Sequence, residues 1–185
     1  MRSLSLEATL QAIGIELVRH GLARDTYGAR LTDVIRDHYG CTRVRFWRMR
    51  HGVGGMHLHA IACSESDDPD RTRSSATLMN CRVYICEAVF LKPLLSRRVF
   101  TCDDTSLPPW NATIRAREPF AARALMDALV CVNGKPFGVI SCEQTDRSRR
   151  WSSAELTTLR RTANTVALLV LHAVGSRLRR DSSKT

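Results

Sequence analysis

The period of the hydrophobic positions changes repeatedly along the chain, and the changes mark its elements. From Ser3 to His20, Leu6, Leu10, Ile13 and Leu17 recur at helical spacing, with Ser3 or Ser5 placed to cap the start and Gly21 to end it. A second helix is predicted over Thr26–His38, with Leu31, Val34 and Ile35 inward and Gly40 as its C-terminal punctuation. The pattern then becomes β-rich. Val44–Met49 and Met56–Cys63 read as a hairpin around the glycine turn His51–Gly55. Residues 64–75, SESDDPDRTRSS, have turn composition throughout and are expected as an exposed loop.

A third helix is predicted over Val83–Ser96, with Val83, Cys86, Val89, Phe90 and Leu94 on its apolar face and Pro93 ending or kinking it. Val99–Thr101 reads as a short strand, followed by a loop through Asp103, Asp104 and Pro109 and a short helix over Ala112–Arg117. The clearest pattern comes next. Ala124–Val132 and Phe137–Gln144 are apolar strands joined by Asn133-Gly134, the dipeptide favoured in type I′ turns. Pro136 stands at the start of the returning strand, where a missing donor is tolerated. Ser152-Ser153-Ala154-Glu155 is a capping box. The helix it opens continues through Leu159, Ala163 and Val166 to about Leu178, longer than most globular helices, which suggests packing against a second protomer as well.

The resulting order, ααββαβ(α)ββα, is that of an α+β domain built on an antiparallel sheet. One domain over residues 1–178 with a polar basic tail over 179–185 accounts for the chain. With 44% apolar and 25% charged residues, its 185 residues can bury a core. The N-terminal stretch carries Glu7 early and lacks a signal-peptide pattern, and the longest apolar run, Val166–Leu171, is far short of the roughly 20 residues that span a bilayer. A soluble cytoplasmic protein without membrane partners is expected. The seven cysteines are odd in number, irregularly spaced and without a CxxC pair, so reduced, mostly buried thiols are expected.

The formal net charge is +10, and all the cations except Lys92, Lys135 and Lys184 are arginines. Such a charge suits an anionic partner, but the arginines are scattered and no RNA-recognition or zinc-finger spacing accompanies them. Binding of nucleic acid or an acidic partner is therefore a minority reading. No GxSxG, HExxH or P-loop is present, so an enzyme is disfavoured. Ideal alternation would place His57, His59 and Cys63 on one strand face, but three donors with no fourth nearby do not make a metal site, and none is expected. In Ser141-Cys142-Glu143, alternation turns Ser141 and Glu143 one way and Cys142 the other, so the thiol and carboxylate are not a catalytic dyad. Core packing is the expected role of Cys142. Glu143 is expected either as a polar handle into a pocket or as a partner for Arg150 and the Trp151 indole. Trp151 is expected to staple the last helix onto the domain.

The stretch from Ala124 to Val170 resembles the C-terminal half of a GAF domain. The elements that carry the likeness are Leu125 and Asp127, Gly134, Gly138-Val139, Cys142-Glu143, Arg150-Trp151-Ser152, Glu155 and the long helix. Upstream, the strand from Arg43 to Met49 and the Val99–Thr105 segment match the family's first core strand and its Asp-Asp loop, so the resemblance covers about residues 5–172. It implies a GAF/PAS-like sheet of about six antiparallel strands flanked by helices, with long N- and C-terminal helices. It also implies a small ligand held between the sheet and the α3-loop side, and a regulatory role in bacterial signalling through a homodimer of terminal helices.

On that likeness, the ligand-binding candidates are Trp47, Cys86, Phe90, Asp103, Phe120, Met126, Asp127, Ser141 and Glu143. Asp103 could instead make a structural Asx turn, and the apolar members could simply be core. The ligand and any cofactor are unidentified. The ordered signature of the family's cyclic-nucleotide-binding members is absent, and no cysteine has the neighbouring histidine usual at a bilin-attaching site. One family branch reduces methionine sulfoxide with paired cysteines in a glycine-bearing loop. That loop is not found here, but Cys81 and Cys86 lie in the corresponding region, and with Cys102 they keep a thiol-based enzyme as an alternative. No output domain follows within the sequence, which fits a standalone module or a sensor cut from a longer chain.

Overall fold

The computed structural model describes residues 5–19, 24–52, 55–66, 82–84, 88–109 and 122–182. Two helices open the chain, α1 (Leu6–Arg19) and α2 (Arg24–Tyr39), followed by strands β1 (Arg43–Gly52), β2 (Gly55–Glu65) and β3 (Arg82–Tyr84). Helix α3 (Ala88–Arg97) precedes β4 (Val99–Cys102), β5 (Ala124–Val132) and β6 (Lys135–Gln144), and α4 runs over Ser153–Ser182. The strands pair antiparallel in the order β3-β2-β1-β6-β5-β4, with the three-residue β3 at one edge.

The two faces of the sheet carry different layers. On one, α1, α2 and α4 bring Leu10, Ile13, Leu31, Ile35, Leu159 and Val166 against Val44, Phe46, Met126, Ile140 and Cys142. On the other, Leu94 of α3 packs with Trp47, Leu58, Phe100, Leu125, Leu129 and Val139. The central strands β1 and β6 are therefore covered on both sides, and Gly138 to Gln144 is an unbroken buried run. Gly138 permits the close approach of the two strands, because a Cβ there would stand 2.2 Å from the Trp47 carbonyl oxygen. Burial of this apolar surface is what holds the layers together.

Several elements form where local chemistry places them. Asn133 and Gly134 have φ of 52° and 75°, the two positive angles of a type I′ turn. Gly40 closes α2 at φ 55°. The capping box closes in both directions, with the Ser152 amide donating to Glu155 Oε2 at 2.7 Å and the Glu155 amide donating to Ser152 Oγ at 3.2 Å. Trp151 is buried against the α4 layer.

Elsewhere pairing overrides local composition. Val83 does not begin a helix: it lies in β3, whose Arg82–Tyr84 pairs with His57–His59, and α3 starts only at Ala88. Ser64 and Glu65 extend β2 rather than opening a loop, paired with Val44 and Arg43. The buried Ser64 hydroxyl donates to Asp33 on α2. Helix α3 continues through Pro93 to Arg97. Helix α4 spans 30 residues, past the expected end near Leu178, whereas α1, at 14 residues, is of ordinary length rather than long. The short helix expected over 112–117 lies outside the described residues. No helix among the described residues is long and apolar enough to cross a membrane.

Candidate functional site

Strand alternation sends Arg43, Arg45 and Trp47 of β1 to the α3 side of the sheet, opposite Glu143, Ser141 and Val139 of β6. The next strand brings Leu125, Asp127 and Leu129 into the same row. Glu143 is the centre of the polar part. Its Oε2 accepts from Arg43 Nε at 2.6 Å and Nη2 at 2.5 Å, and its Oε1 accepts from Arg45 Nε at 2.8 Å and Nη2 at 2.7 Å. All three side chains are no more than 3% exposed. Such an arrangement survives burial only because each charge meets an opposite one through charge-assisted hydrogen bonds.

The row continues without a break in polarity. The Arg45 guanidinium lies 4.3 Å over the Trp47 ring, and Trp47 Nε1 donates to Ser141 Oγ at 3.0 Å. Asp127 pairs across the strands with Ser141 and is 2% exposed. A hydrophobic floor of Leu58, Leu125, Leu129 and Val139 surrounds these groups. Buried ionic, hydroxyl and indole groups set in an apolar frame have the chemistry of a surface that orients a small molecule.

Trp47, Asp127, Ser141 and Glu143 are thus brought together on one face. Met126 is not. It is fully buried on the opposite face, against the helices of the α4 layer, because adjacent strand positions point to opposite sides. Asp103 stands at the rim, where its Oδ1 accepts from the Trp151 amide at 3.4 Å and its carbonyl from the Arg149 amide at 3.1 Å. The Asx turn is made by Asp104 instead, through the Ser106 amide at 2.8 Å, and Arg123 pairs with its carboxylate. Cys86, Phe120 and the side chain of Phe90 lie outside the described residues, as does Cys81.

Two sequence expectations are corrected here. Glu143 does not pair with Arg150. Arg43 and Arg45 take it, while Arg149 stacks 4.2 Å over Trp151, binds Glu155 Oε1 at 2.8 Å and donates to the Tyr39 carbonyl at 2.7 Å. Nor do His57 and His59 share a face with Cys63. The register slips between Phe46 and Trp47, where Phe46 pairs with Ala62 but Trp47 with Ala60. The extra residue, Ile61, turns Cys63 to the Arg45 side and the two histidines to the other. Among the described residues no cluster of three or more His, Cys, Asp or Glu is set to hold a metal.

The thiols near this face are poor nucleophiles. Burial, with a contribution from Glu143, pushes Cys63 up to about 12, and burial pushes Cys102 up to about 11.

The model of the family described as "GAF domain" matches residues 24–170, most of the chain. The chain belongs to the GAF domain family.

Solved GAF domains share the fold. The phycoerythrobilin-bound GAF domain from a cyanobacterial phytochrome superposes with a TM-score of 0.73 at 16% identity, over 95% of this chain and 100% of its own. The phycocyanobilin-bound domain from a cyanobacterial phytochrome gives 0.71 at 16%, over 93% and 97%. The GAF domain of an Acinetobacter phosphoenolpyruvate-protein phosphotransferase gives 0.63 at 11%, over 94% and 98%. At these identities the likeness is one of fold. No curated protein matches the chain.

Within this GAF domain the residues that sequence reasoning missed as site members are Arg43 and Arg45. The signal was present, since they alternate with Val44 and Phe46 and share the phase of Trp47. Arginine is ordinarily a surface residue, however, and only the central position of β1 buries it.

Proposed function

We propose that this GAF domain is a ligand-binding sensor module without catalytic activity of its own. A small molecule with both apolar and hydrogen-bonding parts is held on the Trp47–Asp127–Ser141–Glu143 face, and its presence biases the arrangement of α1 and α4. The reading is supported above all by the asymmetry of the sheet. One face is closed by apolar helices, while the other buries an Arg-Glu-Arg cluster, an aspartate and a serine. Apolar residues of equal volume would hold a purely structural face together at least as well, so ionic groups there suit recognition.

Solved neighbours are bilin-bound GAF domains, which supports a sensor but does not name the ligand. No cysteine of this chain adjoins a histidine, so covalent bilin attachment is not part of the proposal. Signal output is assigned to the terminal helices. Gly14 of α1 lies so close to Leu169 that a Cβ would fall 2.2 Å from Leu169 Cδ2, coupling the two helices. Ile15 and Leu168, respectively 49% and 58% exposed, offer apolar contacts for a homodimer in the cytoplasm. Ligand would act by population shift between two dimer arrangements.

The test is native mass spectrometry of protein purified from its own host, followed by thermal-shift screening against a metabolite library. A co-purified small molecule, with binding weakened at least tenfold in Ser141→Ala, is the expected result. An empty dimer whose melting temperature responds to nothing in the library would overturn the reading.

A further inference from the structure

The far end of the β1–β2 hairpin carries a second polar row, on the face opposite the Trp47–Glu143 row. Arg48 pairs across the strands with His59, and Arg50 with His57. Met49 and Leu58 pack on the α3 side, so alternation turns these four residues to the helix side. Opposite residues stand about 5 Å apart and alternate ones about 7 Å, close enough for four side chains to meet one small group. Helix α2 rests on β2 beyond the row, with Gly28 against Ala62 and Asp33 bonded to Ser64. Arg50 is exposed, Arg48 and His59 are half-buried, and His57 is buried.

The row is basic and holds no acid. None of residues 48–52, 55–60 and 135–138 is Asp or Glu. Elsewhere Arg43 and Arg45 meet Glu143, Arg149 meets Glu155, and Arg123 meets Asp104. Arg48 and Arg50 form no ion pair among the described residues. Phe137 sets Arg48 in place instead. A bulge, in which Val130 pairs with Gly138 but Cys131 with Pro136, makes Phe137 the extra residue and turns its ring toward the helix layer. The Arg48 guanidinium lies 3.5 Å over that ring and donates to the Phe137 carbonyl at 3.4 Å. Burial and the like charge of Arg50 lower the Arg48 pKa from its usual value. The buried Nδ1 of His59 has no hydrogen-bond partner among the described residues, so no bond fixes it in place.

We propose that Arg48, Arg50, His57 and His59 form a binding site for a phosphomonoester dianion, separate from the ligand face of the sheet.

Charge and geometry select that group. Two guanidinium groups supply two fixed positive charges, and a phosphomonoester carries about −1.5 to −2 at pH 7. A carboxylate would balance only one of them. The planar fork of arginine matches phosphate oxygens two at a time, and the imidazoles add donors across the strands. Bound phosphate would relieve the repulsion between Arg48 and Arg50. The Phe137 stack holds one fork ready beforehand, so little freedom is lost on binding. A polynucleotide fits less well, because it needs a longer line of cations and exposed rings for its bases.

The test is isothermal titration calorimetry of the full chain with phenyl phosphate, with benzoate as a monoanion, and with a phosphoserine peptide. Phenyl phosphate should bind at least tenfold more tightly than benzoate, and Arg50→Ala and Arg48→Lys should each weaken it about tenfold or more. Arg160→Ala, which removes an exposed arginine of α4, should leave the affinity unchanged. So should Ser141→Ala on the opposite face, which separates this site from the one under Proposed function. A peptide that outbinds phenyl phosphate assigns the group to a phosphorylated partner protein, the reverse order assigns it to a small molecule, and both support the site. No binding of either phosphate compound at about 10 mM would overturn the proposal. Equal losses in Arg50→Ala and Arg160→Ala would do the same, since they mark attraction by net charge alone, as would equal affinity for benzoate. Arg50 is exposed, so its variant decides even where a change at the stacked Arg48 disturbs folding.

Discussion

Arg45 and Glu143 meet through two hydrogen bonds, Nε–Oε1 at 2.8 Å and Nη2–Oε1 at 2.7 Å, with both side chains 2% exposed. Arg43 holds the other carboxylate oxygen in the same way. Removing Glu143 alone takes from two buried guanidinium groups the carboxylate that binds both, leaving Arg43 the more distant Glu65 at 3.7 Å. Glu143→Ala should therefore cost about 3–5 kcal/mol, read as a drop in the urea midpoint. Replacing all three residues with apolar ones of similar volume should cost far less, or even stabilise by about 1–4 kcal/mol, while abolishing ligand binding. A Glu143→Ala variant as stable as wild type would show that the cluster is not held as described.

Glu155 gives a pH dependence with a defined sign. Burial by itself would raise its carboxyl, but hydrogen bonds from the Ser152 amide and hydroxyl and from Arg149 outweigh it, so the pKa lies below the ordinary 4.5. A folded pKa below the unfolded one means the carboxylate's contribution is complete above about pH 4.5 and is lost as pH falls through the lower folded value. Glu155→Gln keeps the capping hydrogen bonds and loses only the charge facing Arg149 and the helix N-terminus, so it should lose about 0.5 kcal/mol at pH 7, and the gap to wild type should close in acid. Chemical denaturation across pH 2–7 checks this, and a gap that widens in acid would contradict the capping-box assignment.

Arg98 follows α3 in a left-handed conformation, φ 65°, with its amide donating to the Leu94 carbonyl at 3.0 Å and its side chain exposed. A non-glycine residue there costs about 1–2 kcal/mol, against the roughly 0.5–1 kcal/mol of extra chain entropy a glycine loses on folding. The first outweighs the second. Arg98→Gly should stabilise the domain by about 0.5–1 kcal/mol, visible as a rise of a few degrees in Tm.

How much of this was legible beforehand differs by element. The β5–β6 hairpin, the capping box and the α2 terminus were legible because their signals are local. Asn133-Gly134 accepts two positive φ angles, Ser152 and Glu155 satisfy each other's amides, and Gly40 accepts a left-handed turn. The pairing of Asp127, Ser141 and Glu143 with Trp47 was legible in part, since a period of two assigns strand faces. The same rule misled at His57, His59 and Cys63, where one residue of slippage at Ile61 reverses the phase.

By itself, then, the sequence determined the elements whose hydrogen bonds close within a few residues, along with the family to which their order belongs. The tertiary structure alone decided what depends on partners far along the chain. Val83 became a strand because β2 offered it an edge, and Arg43 and Arg45 were buried because a carboxylate about 100 positions away lies across the sheet. A local signal is paid for by local bonds. The worth of a buried charge depends on a partner that only the folded chain supplies.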